Sequence, residues 1–225
     1  MEPKFNQAPQ MINPERLAEW NRILSEIEKI TDGRNLGVDA GIKESVAAFK
    51  ANGFETTGSC EGHIDWGRRN PYIDIGADIS SDLKEKFTDL KKKIEEKDIH
   101  NRQELESDPV LGAVHKNLRN EAVNQVRAAI PNIEHKLKFL LYTFYSSHTP
   151  ASKEYRLVIH NWDEGERLSI ESANGDMSTH SKVEREARIK KLEAFSMEER
   201  KEILEKSQTE MKAFTEFLKQ RFLRG

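Results

Sequence analysis

Apolar residues recur at helical spacing near the start of the chain. Leu17, Trp20, Ile23, Leu24, Ile27 and Ile30 predict a helix over 14–30 with one buried stripe. Asn13 suits its N-cap and Pro14 its first turn, where a missing N–H costs nothing. Thr31-Asp32-Gly33 ends it. A second helix is predicted over 38–52 from Ile42, Val46 and Phe49, with Asn52-Gly53 as the stop and Phe54 in the place of a hydrophobic cap contact. Phe54–Gly58 is rich in strand formers, and Tyr72-Ile73-Asp74-Ile75 alternates as a short strand should.

Residues 81–145 return to helical periodicity. Leu83, Phe87, Leu90 and Ile94 mark one stripe, and Leu111, Val114, Leu118, Ala122, Val126 and Ile130 mark another. Pro131 is expected to kink or restart that helix. Leu137, Leu140, Leu141 and Phe144 continue the spacing, although Tyr142–Tyr145 suits a strand equally. Tyr155–Ile159 and Leu168–Ile170 read as two strands around a turn at 163–166, and Ala173–Asp176 ends the second. From Lys182 onward the pattern is helical again. Ser196-Met197-Glu198-Glu199 forms a capping box, followed by a helix about 40 Å long to Arg224 with a stripe through Leu204, Met211, Phe214, Leu218 and Phe222.

The pattern as a whole predicts an α+β fold: a small antiparallel sheet, an inserted helical region at about 81–148 packed on one face, and a long C-terminal helix. Residues 1–181 are read as the α+β domain and 182–225 as a C-terminal helical arm, either packed along its own domain or joining two copies as a homodimer.

Composition narrows the function classes. Only 36% of the 225 residues are hydrophobic and 33% are charged, which fits helices with thin apolar stripes. The net charge of −3 offers no whole-chain affinity for nucleic acid or membrane. Segment 182–225 is slightly basic, but its charges alternate in sign as on a solvated face, which argues against nucleic acid as a partner. One cysteine, Cys60, excludes an intrachain disulfide framework and suits a reducing cytoplasm. The first residues lack the apolar core of a signal peptide. The most apolar run, Phe139–Tyr145, is too short to span a bilayer.

Against that background Thr56–Tyr72 stands out. It holds three of the twelve glycines, the sole cysteine, a histidine, two arginines and a tryptophan, directly after a strand. Three chemistries fit. In the first the loop binds a small anionic or nucleotide-like ligand: Gly58 and Gly62 permit close backbone approach, and Thr57 and Ser59 offer hydroxyls. Arg68 or Arg69 would fork onto a phosphate or carboxylate, Trp66 or Tyr72 would stack on a flat group, and Asp65 lines the site. In the second, Cys60 and His63 are zinc ligands at Cys-x-x-His spacing, with Glu61 and Asp65 available and His160, at the end of a later strand, completing the set. In the third, Cys60 is a nucleophile with His63 as base, oriented by Glu61 or Asp65. A further cluster, Arg156, His160, Asn161 and Trp162, would lie beside the Cys60 loop if the strand ends meet.

The block Gly53-Phe54-x-Thr56-Thr57-x-Ser59-Cys60-Glu61-Gly62-His63, followed by a Pro-aromatic-Ile-Asp-Ile strand, resembles that of uncharacterised bacterial and phage-borne proteins. It is also similar to the Thr-Thr-Ser-Ser-Cys-Ser-Gly-Arg stretch of the tRNA wybutosine-synthesis methyltransferase family. Gly58, Glu61 and His63 replace Ser, Ser and Arg here. That resemblance implies S-adenosylmethionine as cofactor, a tRNA base as substrate, and a site lined by Thr57, Ser59, Cys60 and Gly62. The residues themselves name no cofactor. The expectation carried forward is ligand binding at Thr56–Asp74. The alternatives are an interaction protein working through its helices, phage- or defence-related, and a zinc-dependent enzyme using Cys60 and His63. Whether the loop is catalytic stays open.

Overall fold

The computed structural model describes residues 12–31, 36–64, 69–162, 165–175, 190 and 194–225. Among them are six helices and a four-stranded antiparallel sheet. In chain order these are α1 (Pro14–Ile27), α2 (Lys43–Ala51), β1 (Glu55–Cys60), β2 (Tyr72–Gly76), α3 (Ser81–Glu96), α4 (Arg102–Ser107), α5 (Leu111–Tyr145), β3 (Leu157–Trp162), β4 (Arg167–Ser172) and α6 (Met197–Arg224). The fold is α+β, with a long C-terminal helix as expected.

Local chemistry sets the helix ends. The Asn13 side chain accepts from the N–H groups of Glu15 and Arg16, with Pro14 at the first turn. Gly53 has φ +77°, and the Phe54 N–H donates to the Phe49 carbonyl at 3.1 Å, so the chain reverses and the Phe54 ring packs 5.8 Å from that of Phe49. Ser196 and Glu199 close a reciprocal capping box at the start of α6. α5 runs from Leu111 through Pro131 to Tyr145, so Tyr142–Tyr145 is helix rather than strand. The apolar spacing of Leu137, Leu140, Leu141 and Phe144 wins there because all four are buried on one side.

The strand order is β1-β2-β4-β3. Ile73 and Ile75 of β2 and Leu168 and Ile170 of β4 alternate onto one face, which packs against α1, α2, α6 and the second half of α5 through Trp20, Phe49, Leu140, Phe214 and their neighbours. A second, smaller cluster of Leu83, Leu90, Leu105, Leu111 and Leu118 holds α3 and α4 to the first half of α5. Val114, expected in that stripe, is exposed, as is Leu17 of α1.

α6 does not stand away from the body. Met211, Phe214, Leu218, Phe222 and Leu223 belong to the main core, and polar ties reinforce them. Thr215 donates to the Ser45 hydroxyl at 2.7 Å, the Asn52 amide donates to the Leu218 carbonyl at 3.0 Å, and the Asn13 N–H donates to the Leu223 carbonyl at 3.0 Å. The stripe that could have joined two copies is thus buried within one. No helix among the described residues is long and apolar enough to cross a membrane.

Candidate metal centre

Cys60 ends β1 on the edge of the sheet, and the chain turns at once. Gly62 makes the turn with φ +84°, a conformation that costs a residue with a Cβ about 1–2 kcal/mol. Space forbids a side chain there too: a Cβ would meet the Arg69 carbonyl and Leu204 of α6, both at 2.7 Å. The turn aims the Gly62 N–H at Cys60 Sγ, 3.4 Å away. It also returns His63 to the side of Cys60.

The third member comes from the linker between α1 and α2. Asp39 Oδ2 lies 3.8 Å from His63 Nε2 and accepts from the Glu61 N–H at 3.3 Å. Ligating atoms of Asp39, Cys60 and His63 all lie within 4.8 Å of one another, and all three residues are half-buried. Glu61 clamps the linker in place: its carboxylate accepts from the Gly41 N–H at 2.6 Å. Its carbonyl in turn accepts from the Gln208 amide of α6 at 3.0 Å. Linker, strand, turn and C-terminal helix therefore meet at one point.

Burial pushes the Cys60 thiol above its ordinary pKa, and the nearby Asp39 carboxylate adds to that, against the opposing Gly62 N–H. The protein alone holds this sulfur as a neutral thiol at neutral pH, a poor state for a nucleophile. A cation between the three groups would reverse the balance, since it favours thiolate and carboxylate together. A comparison with protein families, with curated proteins and with solved structures finds no match. The site is therefore read from its chemistry.

The sheet separates several residues that the sequence suggested together. Ser59 pairs with Ile73 and so shares the apolar face, whereas Cys60 pairs with Tyr72, and Gly58 with Asp74, on the opposite face. A bulge between Thr56 and Gly58 shifts the register there, and Thr57 is exposed. Asp65, Trp66 and Arg68 lie outside the described residues. Arg69 and His63 both line a cavity of about 20 Å³ beside Leu204.

His160 cannot complete a site with Cys60. It sits on β3, across β4 and β2 from β1, about 14 Å away at ordinary strand spacing. There its Nε2 is 3.4 Å from Glu171 Oε1. The strand ends do not meet because β3 and β1 are opposite edges of the sheet. The other members of that cluster have separate partners: Arg156 lies over the Tyr145 ring, and the Asn161 amide donates to Glu134 at 3.3 Å.

Sequence reasoning missed Asp39 and a second feature, the buried polar face of the sheet. Asp74, Ser169 and His160 are neighbours across three strands, with Tyr72 and Glu171 in the next row beside Cys60. Asp74, Ser169 and Glu171 are buried, and Arg167 donates to Asp74 at 3.3 Å. Alternation of Arg167, Ser169 and Glu171 with Leu168 and Ile170 signals a polar face, which the sequence alone would assign to solvent.

Proposed function

We propose that this chain is a metal-binding protein in which Asp39, Cys60 and His63 hold a zinc-like divalent ion, with a further coordination position left for water or a small anion. What carries the reading is the convergence of a thiol, an imidazole and a carboxylate within 4.8 Å from two separate segments. Around a tetrahedral zinc with bonds of about 2.0–2.3 Å, ligand atoms stand roughly 3.4–3.8 Å apart. The Asp39–His63 separation of 3.8 Å already meets that, and the Cys60 sulfur needs a shift of at most about 1 Å. The mixed donor set suits zinc better than magnesium or calcium, which take oxygen ligands. Three protein ligands are the number found at catalytic rather than closed structural zinc sites. Metal-assisted hydrolysis is the reaction class this supports, because a cation acidifies the water it binds.

The expected ligand binding at the loop takes a narrower form in this reading. The cavity beside His63 and Arg69, about 20 Å³, favours a single water over a nucleotide. Purified protein dialysed against zinc should carry about one equivalent by elemental analysis, and Cys60→Ser, His63→Ala and Asp39→Asn should each lower the affinity at least tenfold. Less than about 0.1 metal per chain after loading, or full retention in Cys60→Ser, would end the metal reading.

A further inference from the structure

The first half of α5 carries a segregation of charge that the near-neutral total conceals. Lys116, Arg119, Asn120, Asn124 and Arg127 recur at three- and four-residue spacing and line one side of a groove of about 890 Å³, with Arg102 of α4 on its wall. The α5 residues on that side include no acid. The acid in this stretch, Glu121, acts instead on Lys86 of α3. Two carboxylates reach the groove from other elements, and each is bound by an arginine. Glu106 accepts from Arg102 at 2.6 Å, and Glu166, in the turn between β3 and β4, accepts from Arg127 at 2.8 Å.

Lys116 and Arg119 are exposed, and no ion pair to either is seen among the described residues. Lys116 and Arg119 stand about 4.5 Å apart along the helix axis, and Arg127, held by Glu166, extends the row to about 16 Å. The asparagines add amide donors and acceptors between the cations.

We infer that this groove binds the sugar–phosphate backbone of single-stranded nucleic acid, independently of the metal centre. A spaced row of cations suits a polyanion better than a lone phosphate. Apart from the His115 ring, no aromatic side chain among the described residues lines the groove, so binding should be nearly indifferent to sequence and governed by salt.

The test is fluorescence anisotropy of the full-length protein with labelled single-stranded oligonucleotides of two unrelated sequences and a duplex of equal length. Variant Lys116→Ala/Arg119→Ala removes two groove cations. Lys91→Ala/Lys92→Ala removes two exposed lysines from α3 and changes net charge equally. With Lys116 and Arg119, the two groove cations not held by Glu106 or Glu166, engaged, raising monovalent salt from 50 to 200 mM should weaken wild-type binding about sevenfold and binding of the groove variant hardly at all. The α3 variant should behave as wild type, and both single strands should bind alike. Absence of binding at 50 mM salt, equal losses in the two variants, or tighter binding of the duplex would each overturn the inference. All four substituted side chains are exposed, and matching thermal melts would confirm intact folds.

Discussion

Cys60 shows how a residue's chemistry depends on what the fold sets beside it. Its thiol is held neutral by burial and by Asp39, so metal binding must expel a proton from an unusually reluctant donor. Zinc affinity should therefore climb with pH through the neutral and mildly alkaline range, by close to tenfold per pH unit from this group alone, until the raised thiol pKa is reached. Competition with a chromophoric chelator at three pH values would measure it, and a flat profile would remove Cys60 from the ligand set. Gly62 is the complementary case, where function rests on having no side chain. Gly62→Ala must strain a left-handed backbone and displace either Leu204 or the Arg69 carbonyl. A loss exceeding about 2 kcal/mol in denaturant unfolding is expected, with a parallel fall in zinc affinity.

Among the elements, α5 and α6 are joined by a buried polar knot rather than by apolar contact alone. Tyr145 donates to Glu210 at 2.7 Å and accepts from the Leu157 N–H at 2.7 Å, while His148 Nε2 stands 3.0 Å from the same carboxylate. One hydroxyl thus links two helices to the first residue of β3. Tyr145→Phe strips a donor from a buried carboxylate and an acceptor from a buried N–H. A cost of about 1–3 kcal/mol should follow, read as a lower Tm. Burial, then the Glu210 carboxylate, raises the Tyr145 pKa well above that of an unfolded tyrosine. The folded state consequently keeps a proton that the unfolded chain releases above about pH 10. Wild-type stability should decline as pH rises beyond that point, and Tyr145→Phe should flatten the decline. A slope unchanged by the substitution would show that another group governs it.

For the molecule as a whole, the C-terminal helix decides whether there is a core. Five of its apolar side chains are buried among α1, α2, α5 and the sheet. At about 1.5–3 kcal/mol each they supply an amount comparable to a typical domain's entire stability of about 5–15 kcal/mol. A chain cut after Ala194 should lose cooperative thermal unfolding, measured by circular dichroism. It would also lose Gln208 and Leu204, which hold the turn at Glu61 and Gly62. A truncated protein that melted like the full chain and still bound zinc would contradict this account of the core.

Periodicity indicated most of the helices and strands and the antiparallel α+β architecture, because burying one side of an element is a local demand written every second or every third to fourth residue, but it left Tyr142–Tyr145 undecided and did not foresee that α5 runs unbroken through Pro131. It also singled out Cys60, Gly62 and His63, whose crowding into one short turn has no use in a plain connection. Partners across distance were decided only by the tertiary structure. Asp39 lies upstream, in a stretch whose spacing predicts the start of a helix, and joins the site because that helix begins only at Lys43 and Glu61 clamps the preceding linker to the end of β1. His160, equally plausible on paper, is removed by the strand order, which places its strand at the far edge. Ser59 and Cys60 adjoin in sequence and face opposite ways, since a pleated strand alternates its side chains. Ser169 and Glu171 of β4 are polar and yet buried, because whether a face meets water depends on what else packs against the sheet.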